Sequence, residues 1–160
     1  IFRCAREMTM LRSAHLFAAS FRDPVQRLQQ TSRLVAALRS LTSDVPLKVN
    51  RDIQSLATQL SAELKPQQTQ AIKATLEQID ADRRRHLDVE RWIKGLEFTA
   101  DRVGLIFTNS LEHSLHIIDG HPSSLSLSHR EERSVALRAF ACSEAYFEIR
   151  RAIGHSIDSL

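Results

Sequence analysis

The sequence predicts an all-α fold, a single helical domain of about seven to eight helices. Only four of the 160 residues are glycine and four are proline, and aromatic residues make up 6%. Sandwiches, barrels and glycine-rich nucleotide-binding folds use turn residues much more heavily. Apolar residues recur at helical spacing along most of the chain, and no segment shows the sustained period-two alternation of a strand. A chain of this length is expected to form one domain, residues 1–160.

The first half of the chain contains four predicted helices. A stretch from Ile1 to about Ala19 places apolar residues near helical period. Asp23 and Pro24 start the second helix, as N-cap and first-turn residues, and a loop beginning at Thr42 ends it. Asn50 or Arg51 opens the third helix and Pro66 the fourth. The positions expected to face inward are Val25, Leu28, Val35, Leu38 and Leu41, then Ile53, Leu56, Ala57, Leu60 and Leu64, then Ile72, Leu76 and Ile79.

The fifth predicted helix is the longest and most apolar. It begins at Leu87 or Asp88 and ends at Asn109, and Ser110 caps a short sixth helix from Leu111 to Asp119 that Gly120 closes. The expected inner face of the fifth helix consists of Val89, Trp92, Ile93, Leu96, Ala100, Val103 and Phe107.

The last part of the chain shows further helix signals. Ser128 with Glu131 has the spacing of a capping box, in which the two side chains satisfy each other's backbone N–H groups. Val135, Leu137 and Phe140 follow as apolar positions. Ser143 is a second predicted N-cap, and Gly154 is the predicted C-terminal stop.

Charge and length limit the classes of partner. Lys and Arg number 22 against 19 Asp and Glu, a net charge of +3. The one dense basic run, Arg83 to His86, precedes a new helix. We interpret it as a solvated helix end, because nucleic-acid-binding patches usually add aromatic residues or a reader motif. A nucleic-acid-binding bundle stays a further alternative. No segment reaches the roughly 18 apolar residues of a membrane span.

The first residue suggests that the sequence is part of a longer chain, and the two cysteines suggest a cellular compartment. The sequence begins with Ile1 without a signal-peptide pattern, so we expect a fragment of a longer chain. Cys4 and Cys142 lie far apart and form no CxxC motif. Because both have apolar neighbours, we predict buried, reduced thiols and a cytoplasmic location.

Two of the predicted helices contain a motif that suggests a function. In the fifth helix, Glu97, Ala100, Asp101 and Gly104 have a spacing that resembles the E-x-x-A-D-x-x-(G/A) helix of the CAAX prenyl protease and HtpX-like peptidase family. The first helix, with Arg6 to Met10, resembles that family's H-E-x-x-H helix. In such zinc peptidases two histidines and the second helix's glutamate bind the metal, and the glutamate of H-E-x-x-H polarises water. The aspartate one turn later orients the first histidine.

The departures from this pattern predict that catalysis is lost. Arg6 and Met10 stand where the two histidines belong, and only Glu7 matches, with His15 further along. A guanidinium cannot ligate a cation, and zinc seldom uses a thioether. We therefore expect no catalytic residue and no cofactor, and a protein-interaction or scaffolding role with a protein partner. The segment from Phe140 to Gly154 also resembles the end of peptidase-like domains in large bacterial helical-repeat proteins.

The resemblance implies a new partner for the two carboxylates. If the two helices cross as they do in the family, Glu97 and Asp101 are buried without a metal, and unpaired buried charges are costly. We predict that Arg6 bridges Glu97 and Asp101 in a bidentate manner. The small residues Ala100 and Gly104 would allow close approach. The alternative is that both carboxylates lie on the surface, with Glu97 paired to Lys94.

A zinc-dependent metallopeptidase with non-standard ligands stays the alternative function. Its ligands would come from His113, His116 and Glu97, with His15 as a further candidate. His113 and His116 are three residues apart on a helix, which is a spacing that can hold a metal. The third histidine nearby, His121, lies beyond Gly120, so we favour exposed histidines without a metal.

Overall fold

The structure is a computed structural model that describes residues 1–13, 15–44, 47–81, 87–120 and 126–155. These residues contain nine helices, eight of them with seven or more residues, and no strand, so the predicted all-α fold is confirmed. The helices are α1 (Phe2–Met10), α2 (Leu16–Ala19), α3 (Pro24–Thr42), α4 (Arg51–Glu63), α5 (Pro66–Ala81), α6 (Val89–Thr108), α7 (Leu111–Asp119), α8 (Arg130–Ala141) and α9 (Glu144–Ala152). None of the helices in these ranges is long and apolar enough to cross a membrane. Arg83 to His86 and His121 lie outside the described residues.

The chain divides into two compact units. Unit 1 consists of Ile1–Arg27 and Glu90–Leu160, and unit 2 consists of Leu28–Val89. Every aromatic residue and every glycine of the sequence falls in unit 1. That residues 1–160 form a single domain stays a prediction.

Unit 1 has an aromatic and aliphatic core built around α6. The core residues are Phe2, Leu105, Ile118, Leu137 and Tyr146. Helix α7 packs against α8, and α8 packs against α9. The ring of Phe2 lies so close to Gly104 that a Cβ atom at that position would be 2.6 Å from two ring carbons. The predicted close approach at Gly104 is therefore confirmed.

Unit 2 has a core of smaller side chains. Ala37 and Ala57 are its buried apolar residues among those described. Ala57 is buried, and the other positions predicted to face inward on α4, at its C-cap and on α5 are half-buried: Ile53, Leu56, Leu60, Leu64, Ile72, Leu76 and Ile79. Two ion pairs lie at the surface of this unit. Arg39 donates two hydrogen bonds to Asp80, of 2.9 and 2.7 Å, and Lys73 contacts both oxygens of Asp44 at 2.7 Å.

Four of the predicted helix starts and the predicted C-terminal stop are confirmed. Four predicted N-cap side chains accept a hydrogen bond from the backbone N–H three residues later: Asp23, Asn50, Ser110 and Ser143. At the other end of α9, Gly154 has φ +76°. The Gly154 N–H donates to Arg151 O and the His155 N–H to Arg150 O, which are the two hydrogen bonds of a Schellman motif.

Two predictions about local structure are wrong. The stretch from Ile1 to Ala19 is not one helix, because α1 ends at Met10 and α2 begins at Leu16. The His15 ring hydrogen-bonds to Thr9 O at 3.1 Å and so competes for a carbonyl that a continued helix would use. The predicted capping box is also absent, since α8 starts at Arg130 with His129 as N-cap.

The predicted burial of both thiols is wrong, because Cys4 and Cys142 are exposed. Cys4 lies on the face of α1 that points away from the buried Phe2 and Arg6. Cys142 is the C-cap of α8, where the chain turns towards α9. Apolar neighbours in sequence do not indicate burial in a helix, because adjacent residues point to different faces.

Candidate functional site

Two carboxylates are buried on one face of α6. Glu97 and Asp101 are each 1% exposed and share that face with Ile93, Ala100 and Gly104. The alternative that Glu97 lies at the surface beside Lys94 is therefore wrong. The Lys94 ammonium group instead lies 3.3 Å from Glu90 and 3.6 Å from Glu132.

Asp101 is held by two arginines from different helices. Arg133 of α8 donates from Nε to Oδ2 and from Nη2 to Oδ1, both at 2.8 Å. Arg6 of α1 places its Nε 2.6 Å from Oδ1. The predicted contact between Arg6 and Asp101 is thus present, but the predicted bidentate geometry belongs to Arg133. All three side chains are almost completely buried.

The Arg6 contact is a charge interaction and not a directed hydrogen bond. Its Nε is buried, and among the described residues it has no hydrogen-bond partner, so the N–H is not aligned with the nearby Oδ1. Burial lowers the pKa of Arg6, and the Asp101 carboxylate opposes this change. Because a guanidinium remains protonated at any pH a protein normally meets, Arg6 keeps its positive charge.

Glu97 is held mainly by the segment before α8. Its Oε2 accepts hydrogen bonds from Ser126 Oγ at 2.7 Å and Ser128 N at 2.9 Å, and its Oε1 accepts one from Leu127 N at 2.8 Å. Arg27 Nη1 lies 3.6 Å from Oε1. These contacts explain why the capping box fails: the Ser128 backbone is drawn towards Glu97, and the chain turns into the helix two residues later.

Arg6, Arg27, Glu97, Asp101 and Arg133 together form what we call the ionic cluster. It contains three guanidinium groups and two carboxylates, and it connects α1, the start of α3 and α8 to α6. The Arg27 side chain also donates from Nε and Nη2 to Phe21 O, which fixes its position. Desolvated charges of this kind are tolerated only when they are paired and hydrogen-bonded. The cluster therefore acts as an internal connection between helices.

The other positions of the peptidase-like motif are not assembled around the carboxylates. Glu7 is exposed, and Met10 and His15 are partly exposed. His113 and His116 are exposed on α7, whereas Glu97 is buried and engaged as described. Within the described ranges, no group of three or more His, Cys, Asp or Glu side chains is arranged to hold a metal ion.

Sequence reasoning missed Arg27 and Arg133. Arg133 lies four residues before the buried Leu137, and therefore on the same face of α8. Arg27 similarly lies between Pro24 and Thr31, which are both buried. An arginine in step with the apolar positions of a predicted helix could have indicated both residues, but Val25 was expected to face inward and Val135 was named as an apolar position. Both valines are exposed.

A groove runs along unit 1 between α1 and α6. It has a volume of about 560 Å³, and its lining is mostly apolar: Ile1, Cys4, Ala5, Met8, Thr9, Arg12, Val103 and Phe107. Ile1, Met8 and Phe107 are 83%, 66% and 64% exposed. Phe107 was predicted to face inward, but its ring forms one wall of this groove. We refer to it as the α1–α6 groove.

Comparisons of this chain with protein-family models, with curated proteins and with solved structures found no match. The candidate site is therefore interpreted from its own geometry.

Proposed function

We propose that this chain is a catalytically inactive, metallopeptidase-like helical module that binds a protein partner and serves as a scaffold in the bacterial cytoplasm. The main support for this proposal is that the carboxylate of Asp101 contacts Arg6 and Arg133 in the interior of the protein. The family resemblance of α1 and α6 supplies the comparison with a peptidase.

The hydrogen bonds that Glu97 and Asp101 already accept support the loss of metal chemistry. Asp101 accepts two hydrogen bonds from Arg133, and Glu97 accepts three from residues 126–128. A metal ion at either carboxylate would displace these donors. It would also stand next to guanidinium groups that are themselves buried, and this like-charge contact is unfavourable.

The α1–α6 groove supports a binding role. Large apolar residues line it and are well exposed, and contiguous exposed apolar surface typically marks an interaction site. The groove uses the outer face of α1, while the inner face of the same helix contributes Arg6 to the ionic cluster. The cluster would therefore hold one wall of the groove in place.

The cytoplasmic part of the proposal relies on the cysteines. Cys4 and Cys142 are free thiols and exposed. Exposed thiols without a disulfide partner persist most readily in a reducing compartment.

Zinc retention and peptide hydrolysis test the loss of catalysis. We expect the purified chain, after incubation with zinc and dialysis, to retain far less than one ion per chain and to cleave no unstructured peptide. The variants for comparison are Glu97→Gln and the double variant His113→Ala/His116→Ala. Stoichiometric zinc that is lost in either variant, together with zinc-dependent hydrolysis, would establish the alternative of a metallopeptidase with non-standard ligands.

Protection of Cys4 tests the binding role. In a Cys142→Ser background Cys4 is the sole thiol, and it lines the groove. We expect amphipathic helical peptides to slow its alkylation, and Phe107→Ser to remove the protection. A rate that no such peptide changes would contradict a docking role for the groove.

A further inference from the structure

We infer that the α1–α6 groove binds an acidic amphipathic helix of a partner protein. The inference rests on the proposed function, since it names the chemistry of the partner at the same groove. It combines the spacing of the lining residues with the distribution of charge along the sequence.

The spacing of the lining residues fits a helix as the bound element. Ile1, the N-cap of α1, and Cys4 and Met8 on the helix follow one another at intervals of three or four residues and form a stripe, and Arg12 lies two residues beyond the end of α1. On α6, Val103 and Phe107 are four residues apart. Two helices that present such stripes side by side leave a channel that the apolar face of a third helix fills, as in other helix-in-groove complexes.

The charge distribution indicates an acidic partner. Residues 1–22 contain four arginines against one glutamate, a net charge of +3, which equals the net charge of the whole chain. Residues 23–160 therefore carry equal numbers of acidic and basic side chains. Arg6 is used inside the ionic cluster, whereas Arg3, Arg12 and Arg22 are exposed together with Glu7, so the exposed side chains of this segment carry three positive charges against one negative charge. Arg12 lines the groove, so carboxylates beside the partner's apolar stripe would meet positive charge.

The same charge distribution argues against a second copy of this chain as the molecule bound in the groove. A symmetric dimer through this groove would place the basic segment of one chain against that of the other, and like charges at an interface disfavour association. A membrane surface is also a poorer fit, because the apolar side chains line a groove between two helices and do not form the outward face of a single helix. Helices that bind in the plane of a bilayer present an outward apolar face.

Designed peptides test the charge preference directly. Three fluorescent peptides are compared by anisotropy: one with an apolar stripe at positions i, i+3, i+4 and i+7 and glutamate flanks, one with the same stripe and lysine flanks, and one acidic with a scrambled stripe. We expect the acidic amphipathic peptide to bind at least about tenfold more tightly than the lysine peptide. We expect the scrambled peptide not to bind.

Variants of the chain assign the effect to the groove. Arg12→Glu should weaken binding of the acidic peptide by about tenfold and strengthen that of the lysine peptide, whereas Arg51→Glu, an equal charge change in unit 2, should alter neither. Phe107→Ser should abolish binding. Val135→Ser is its matched control, because Val135 is also 64% exposed but does not line the groove.

Several results would overturn the inference and separate it from the proposed function. Equal binding of both amphipathic peptides through Phe107 would refute the acidic partner while leaving a docking groove. Binding of anionic vesicles but not of peptides, or dimerisation that Phe107→Ser abolishes, would replace the helix by a membrane or a second copy. If no peptide binds and zinc-dependent hydrolysis is observed, the proposed function itself fails.

Discussion

Asp101 with Arg133 in unit 1 and Asp80 with Arg39 in unit 2 are the same chemical pair in two different surroundings. Both are bidentate, with hydrogen bonds of 2.8 and 2.8 Å in unit 1 and of 2.9 and 2.7 Å in unit 2. The side chains of the first pair are 2% exposed, and those of the second are 36% and 52% exposed. The donor atoms differ, since Arg133 uses Nε and Nη2 and Arg39 uses Nη1 and Nη2, but the bond lengths are alike, so burial is the larger difference between the two pairs.

The two units differ in the same way in their cores. Unit 1 buries Phe2, Tyr146 and several aliphatic residues, and the side chains of its ionic cluster are buried as well. Unit 2 contains no aromatic residue and has alanines at its buried apolar positions. In a dry environment the loss of one charge leaves its partners without compensation, whereas at a surface water replaces the lost contact.

The largest loss of stability is expected for Asp101→Asn. The substitution keeps the shape of the side chain but removes the anion that contacts both Arg6 and Arg133, and we expect the free energy of unfolding to fall by about 3–5 kcal/mol. Urea unfolding followed by the fluorescence of Trp92, which lies in unit 1, measures this change. A loss no greater than that of Asp80→Asn would show that burial does not separate the two pairs.

A smaller loss of stability is expected for Glu97→Gln. Glu97 accepts three hydrogen bonds from residues 126–128, and a glutamine would turn an N–H group towards one of those donors. We expect a destabilisation of about 2–3 kcal/mol, because hydrogen bonds to a charged acceptor are among the stronger ones. Thermal unfolding followed by circular dichroism measures it. The exposed Glu148→Gln is the control, and equal effects of the two changes would contradict a structural role for Glu97.

Substitution of two glycines on α6 compares packing with helix propensity. At Gly104 an alanine Cβ would meet the Phe2 ring, and we expect a loss of about 1–3 kcal/mol from overpacking. At Gly95 nothing lies within 4 Å of the same atom, and alanine should stabilise the helix by up to about 1 kcal/mol. Chemical denaturation of both variants measures whether each substitution lowers or raises the free energy of unfolding. Stabilisation by Gly104→Ala would mean that Phe2 moves away without cost.

Gly154→Ala tests backbone conformation in unit 1 without a change in packing. The Gly154 backbone has φ +76°, and no atom lies within 4 Å of the position of an added Cβ. The cost should therefore come from the left-handed conformation alone, about 1 kcal/mol. Hydrogen exchange of the amides of Gly154 and His155 measures the local opening. Unchanged protection would show that the end of α9 does not depend on glycine.

The smallest effect is expected for Asp80→Asn. Water and salt compete for the exposed Arg39, so we expect a loss below about 1 kcal/mol that decreases further at high ionic strength. Far-ultraviolet circular dichroism is the suitable probe, because unit 2 has no aromatic reporter. A loss of several kcal/mol that salt does not alter would indicate that this pair behaves like the buried one.

Local features of the fold could be predicted from the sequence. The N-caps Asp23, Asn50, Ser110 and Ser143 and the stop at Gly154 depend on hydrogen bonds between residues three to five positions apart. Such bonds form between neighbours in the chain, so the residue types already specify them. The burial of Glu97 and Asp101 could also be predicted, because they share a helix face with apolar residues.

The tertiary structure decided the partners of those carboxylates. Arg133 is 32 residues from Asp101, and Ser128 is 31 residues from Glu97. Any of the chain's many arginines has the chemistry to pair with Asp101, and nothing local selects one. Packing of α8 and α1 against α6 makes that choice, because it brings only Arg133 and Arg6 into contact with Asp101 among the described residues. The sequence determined helices and their ends through short-range contacts, and the packed core alone determined which charges meet.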